Sequence, residues 1–149
     1  MNIFGTTLVI VRAISMALWV GGMVGFAFIF APAAFHSMGP TPSFAALIAQ
    51  ILRNLTVAGV ICAVLAVAAT LLLRNERRRF TIIFVAMVLA MSALSLYERA
   101  SIIPRMEQTA VQTPAYAALH RASSDVYGIV LLIGVAAIAL LSVRDVGKG

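Results

Sequence analysis

Residues Ile103–Tyr127 read IPRMEQTAVQTPAYAALHRASSDVY. Outside one arginine-rich link, this is the only long polar interruption in the chain, and it carries one of its two histidines. It also repeats an earlier stretch. Pro104, Thr113, Pro114, Ala117, Ala118 and Leu119 match Pro32, Thr41, Pro42, Ala45, Ala46 and Leu47 at a constant offset of 72, with Tyr116 where Phe44 stands. In each copy a Thr-Pro pair opens an apolar run, as an N-cap threonine followed by proline at the first helical position does. A polar loop and a helix entrance that occur twice divide the chain into two similar helical hairpins.

Working outward, the runs on either side are too apolar for a water-facing domain. Of 149 residues, 62% are hydrophobic and 11% charged, with mean hydropathy +1.05. A soluble domain carries about 25% charged residues. The solvent must therefore be mostly lipid, and the bilayer is the first expected partner. The formal net charge of +6 points to the membrane and not to nucleic acid, because the arginines cluster at helix ends. The lone Cys62 in an apolar run provides neither a disulfide framework nor a thiolate metal site.

Four apolar runs predict an all-α fold: a single transmembrane domain, an antiparallel four-helix bundle with helices at about 8–31, 42–73, 80–103 and 114–143. Pro32 is expected to end the first helix. Ala31-Pro32-Ala33 loosely imitates a signal-peptide cleavage site, but the apolar run is too long and no basic residue precedes Arg12, so no cleavage is expected. Basic residues set the orientation. With both termini cytoplasmic, Arg12, Arg74, Arg77, Arg78, Arg79, Arg144 and Lys148 lie inside, against Arg53, Arg99, Arg105 and Arg121 outside. The reading is a multi-pass protein of a bacterial-type plasma (inner) membrane. Two hairpins of the same sense imply a pseudo-twofold axis along the membrane normal.

The candidate site follows from the same offset. Glu98 and Arg99 map onto Phe26 and Ala27, which puts two charges roughly 6–9 Å inside the helix end at ~1.5 Å per residue, a depth that marks functional candidates. Arg53, Asn54, Glu98, Arg99, His120, Ser123, Ser124, Asp125 and Tyr127 are expected to line an outward polar cavity, or else to form balanced ion pairs tying helix ends together. His120, Ser124 and Tyr127 share a helix face. Two pairings stay open for Asp125: Arg53, its equivalent at offset 72, or Arg121 one turn away. His120, with or without His36, is the candidate metal or haem ligand, though no resident cofactor is expected.

Helix one carries a small-residue ridge, Ala17, Gly21 and Gly25, that lets another helix approach closely, within the bundle or in a homo-oligomer or partner membrane protein. Arg12 reads as a snorkelling anchor. Trp19 lies too deep for an interfacial belt, and its indole N–H would want a partner. Met16/Met23 and Met87/Met91 stand at helical spacing, suited to packing or to soft Cu(I). No phosphate loop, cysteine pair or HExxH spacing occurs. Glu98 with His120 is the weak acid–base candidate.

LWVGGMVGFAFIFAPAAF, YERASIIPRME and LHRASSDVYGIVLL resemble the transmembrane-protein-205-like domain family. That resemblance implies a four-helix membrane protein; the bacterial members are mostly of unknown function, and eukaryotic members linked to platinum-drug resistance imply export or trafficking. More distantly, the Trp-Val-Gly-Gly segment resembles the copper-resistance-D-like superfamily, some of whose members hold haem b through helix histidines. There a histidine often stands seven residues before the tryptophan; here that position is Arg12. The expected function is non-enzymatic binding, transport or efflux assistance through the outward cavity. The alternatives are a small haem or copper redox protein and a structural partner subunit.

Overall fold

The computed structural model describes residues 3–73 and 78–146, with side chains through Val143. Arg74, Arg77 and Lys148, and the side chain of Arg144, which enter the orientation argument above, lie outside the described residues. The elements are α1 (Ile3–Gly25), a π-helical turn π1 (Phe26–Phe30), α2 (Ala31–Met38), α3 (Pro42–Leu72), α4 (Arg78–Tyr97), a second π-helical turn π2 (Glu98–Ile102), α5 (Ile103–Glu107) and α6 (Pro114–Val146). No strand occurs among the described residues. Ile3–Met38, Pro42–Leu72, Arg78–Glu107 and Pro114–Val143 are each long and apolar enough to cross a membrane, the signature of a multi-pass membrane protein.

Pro32 does not end the first helix. The chain stays helical to Met38, and Pro32 is the second residue of α2. A proline inside an α-helix lacks one N–H, and its ring strikes the carbonyl four residues back. Here the hydrogen-bond register widens just before the ring: the Ala31 N–H donates to the Phe26 carbonyl, five residues back. Such π-bulges are one of the few devices that carry a helix past a local fault. The same device recurs at π2, where the Ile103 N–H donates to the Glu98 carbonyl and Pro104 follows. The third span accordingly runs on to Glu107. The first span stops at Gly39, whose φ of 63° is open to glycine at little steric penalty.

The threonine caps form as the sequence predicts. The Thr41 hydroxyl accepts from the Phe44 N–H at 3.2 Å, and that of Thr113 accepts from the Tyr116 N–H at 3.2 Å. Each satisfies one orphan donor of a helix start.

In projection the helices form a ring in which α1 and α4 each pack against both α3 and α6, while α3 and α6 face each other diagonally without backbone contact. Each helix presents one narrow stripe to the centre. On α3 it is Ala49, Leu52, Thr56, Gly59, Ala63, Ala66 and Thr70, and on α4 it is Phe84, Val88, Met91 and Ser95, both at the 3-4 spacing of knobs-into-holes packing. The α3 stripe is rich in small residues, which draw helices together in lipid, where no hydrophobic force between them exists. Its closest approach is at Gly59, which lies under the indole of Trp19. Met16, Met23 and Met91 belong to the same core, with Met87 packed against it.

Outside the stripes the surface is apolar. Leu18, Phe28, Val64, Leu71, Leu132 and Val143 are each more than 60% exposed, a surface that water does not tolerate and lipid does. Arg12 departs from its expected place. It is 1% exposed, and its guanidinium lies 5.4 Å from the Phe80 ring and 5.8 Å from that of Phe84. The two rings stand one turn apart on α4, stacked at 6.0 Å, and hold the cation at the bundle centre by the attraction of a positive charge to aromatic faces. Snorkelling to the interface is replaced by burial.

Candidate functional site

At the end of the bundle where α2, α5 and the starts of α3 and α6 meet, the helices enclose a cavity of about 1280 Å³. Its floor is the satellite core of Ala49, Leu52 and Ile103, with Ile48, Phe26 and Tyr127 packed against it. The Tyr127 hydroxyl donates to the Met23 carbonyl at 2.6 Å, and its ring lies 5.7 Å from Phe26, so the floor is fastened to α1. The roof is α5 with the loop that follows, from Met106 to Gln112. Gln112, in that loop, has a φ of 72°, uncommon for a residue with a side chain. One wall is the α6 face of Tyr116, His120, Ser123, Ser124, Tyr127 and Gly128; the other is the alanine-rich start of α3.

The lining is more apolar than the sequence suggests. Of the residues expected there, His120, Ser123, Ser124 and Tyr127 line the cavity; Arg53, Asn54, Glu98, Arg99 and Asp125 do not. Asn54 faces outward and accepts from the Gln50 amide at 3.3 Å. Glu98 is 4% exposed and lies behind the wall, where the Ser123 hydroxyl donates to its carboxylate. Arg99 donates from Nη1 to the Arg53 carbonyl at 2.5 Å. The Arg53 guanidinium reaches Glu107 of α5, Nη2 to Oε2 at 2.5 Å.

Neither pairing expected for Asp125 forms: it is exposed on α6, and Arg53 takes Glu107 instead. The reason is topological. Arg53 and Asp125 stand on α3 and α6, whose backbones lie across the bundle diagonal without approaching each other, whereas α5 packs directly on α3. The Arg53–Glu107 pair ties the roof to the α3 wall, and the Arg99 bond to the Arg53 carbonyl ties π2 to the same wall.

The histidines differ in setting. His120 is exposed on the cavity wall with its ring stacked on Tyr116 at 6.4 Å. His36 lies in α2, not in a loop, exposed and outside the cavity lining. Among the described residues, no three His, Cys, Asp or Glu side chains come together. The Ala17, Gly21, Gly25 ridge takes no part in packing within the chain: Ala17 and Gly21 are exposed, and space is open over Gly21 and Gly25. The apolar lining residues Phe26, Ile48, Leu52 and Ile103 went unread as site residues. Their one legible signal is the small-residue run Ala45, Ala46 and Ala49, which leaves room beside a helix entrance.

No curated protein and no solved structure matches the chain. A family model matches residues 14–115, covering α1 through the cavity roof and ending as α6 begins. The chain belongs to that family, the domain of unknown function DUF4149.

Proposed function

We propose that the protein is a non-enzymatic ligand-binding membrane protein of the transport or efflux-accessory type, its site being the cavity beneath α5. The observation that carries this reading is the cavity itself. It is larger than the roughly 300–1,000 Å³ of most small-molecule sites, and it is built from apolar walls with a few polar groups at one end. The resemblance to transmembrane-protein-205-like proteins agrees with an export or trafficking role. Basic residues favour both termini on the cytoplasmic side of a bacterial-type plasma membrane, so the cavity faces outward. An antiparallel bundle of two duplicated hairpins accounts for π1 and π2, and for the two threonine caps, each standing 72 residues apart.

The test is thermal stability of the purified protein against a panel of small molecules, in wild type and in Gly128→Trp. Gly128 lines the cavity with open space over its Cα, so a large side chain there takes up part of the site. A ligand at about 100 times its Kd contributes about 2.7 kcal/mol. Compounds that raise the wild-type midpoint by several degrees should leave Gly128→Trp unmoved. Shifts that persist undiminished in Gly128→Trp overturn the cavity as the site. A Soret absorption band lost in His120→Ala overturns it in favour of a haem protein.

A further inference from the structure

We infer that the cavity takes a single-chain amphiphile with an uncharged, hydrogen-bonding head, admitted sideways from the bilayer. The inference rests on the cavity-binding reading above and adds to it the ligand class and the route.

Three observations carry it. The first is the division of the lining by polarity. The floor is Phe26, Ile48, Leu52, Ile103 and Leu131, while the polar groups Gln108, Thr109 and Gln112 belong to the roof and His120 and Ser124 to the upper wall. Along α6 the lining runs from Tyr116 to Leu131, about 22 Å at ~1.5 Å per residue. That depth suits an extended hydrocarbon chain beneath a polar end.

The second is charge. The one acidic side chain of the lining, Glu107, is already engaged by Arg53, and no lysine or arginine lines the space. A carboxylate or phosphate head would find no lysine or arginine in the lining to pair with. Amide and hydroxyl groups at the roof match hydroxyls or esters instead.

The third is the seam. Neither π1 nor α2 packs its backbone against α6, although α1 below them does. Across this seam the Phe26 ring meets that of Tyr127 at 5.7 Å, and Ala27, Phe28 and Ala31 on one side and Ser124 and Gly128 on the other line the cavity. Phe28 is 71% exposed there. The uncharged stretch Leu55–Leu73 of α3 is about 28 Å long at ~1.5 Å per residue, nearly the whole ~30 Å hydrocarbon core. The apolar exterior continues above it, with Phe28, Ile29 and Phe30 of π1 being 71%, 72% and 38% exposed, so the hydrocarbon reaches the lip of the cavity. The seam opens sideways at the level of lipid head groups and upper chains, where an amphiphile slides in without leaving its orientation.

The experiment uses the full chain reconstituted in phosphatidylcholine vesicles containing a trace of monoacylglycerol with a chain-borne diazirine. After irradiation, adducts are mapped by mass spectrometry. Adducts should concentrate in residues 44–52 and 116–131, fall at least fivefold in Gly128→Trp, and fall likewise when unlabelled monoacylglycerol is added to the bilayer. Ala31→Trp, on the opposite lip of the seam, should act the same way, and the thermal midpoints of both variants check that they fold.

Adducts confined to outward residues such as Leu18 and Leu132, equal in wild type and variants, overturn the inference. So does labelling obtained only when the probe is supplied from water to protein held in amphipol. A photoactivatable fatty acid labelling the cavity better than the monoacylglycerol overturns the uncharged head. If cavity labelling is absent while soluble compounds still stabilise wild type and not Gly128→Trp, the cavity reading stands and this one falls; loss of both effects removes both.

Discussion

Gly59 and Gly21 are the same residue type in similar apolar surroundings, yet the bundle treats them oppositely. A methyl group on Gly59 would overlap the buried indole of Trp19, a rigid ring that cannot bend aside. Overpacking of this kind costs about 1–3 kcal/mol. Gly59→Ala is therefore expected to lower the thermal midpoint in detergent by several degrees. Gly21 has open space around the same position, and alanine is the better helix former by up to about 1 kcal/mol. Gly21→Ala should be neutral or stabilising, and a midpoint loss as large as that of Gly59→Ala would show that the ridge is covered by a partner. Trp19 at helical spacing from Arg12 hinted at a buried face in the sequence. Which glycine it meets on α3 depends on the register between two helices, which no spacing within one helix specifies.

Among the α-helices, α5 is the shortest, with five residues between π2 and a loop. What holds it over the cavity is Ile103 in the floor cluster and the Arg53–Glu107 pair. The two side chains are 32% and 37% exposed, so the pair is worth roughly 0.2–1 kcal/mol. A double-mutant cycle with Arg53→Ala and Glu107→Ala should return a coupling in that range that shrinks at high salt. The same cycle between Arg53→Ala and Asp125→Ala should be additive within about 0.5 kcal/mol. The prolines show the element scale from the other side. Pro32 and Pro104 were legible as faults in a helix, but a fault ends a helix only when the register cannot widen. The sequence does not disclose which outcome occurs, because π and α turns differ by a single backbone hydrogen bond shift.

For the whole molecule, the four spans and the apolar exterior require a bilayer, and the proposed sidedness rests on the basic residues. Fluorescent-protein fusions at either terminus should be bright in a bacterial host, and alkaline phosphatase fused at either terminus inactive. Phosphatase inserted after Gly39, between α2 and α3, should be active. The reverse pattern would turn the cavity to the cytoplasm and remove the outward-facing reading, while leaving the fold untouched.

The all-helical architecture, the number of spans and the Thr41 and Thr113 caps were set by the sequence alone. Each rests on interactions of one helix with lipid or with its own backbone, and these depend only on local composition and spacing. Tertiary structure decided the rest. It turned Arg12 inward onto Phe80 and Phe84, moved the partner of Arg53 from Asp125 to Glu107, and made an expected polar cavity mainly apolar. Those outcomes depend on which helices are neighbours and which face one another across the diagonal. An offset of 72 residues relates matching stretches of sequence, and a match in sequence is not a contact in space. The stretch from Ile103 to Tyr127 thus supplies the roof and one wall of the cavity; Arg105, Arg121 and Asp125 stay out of the lining, and Glu107 at the roof is taken by Arg53.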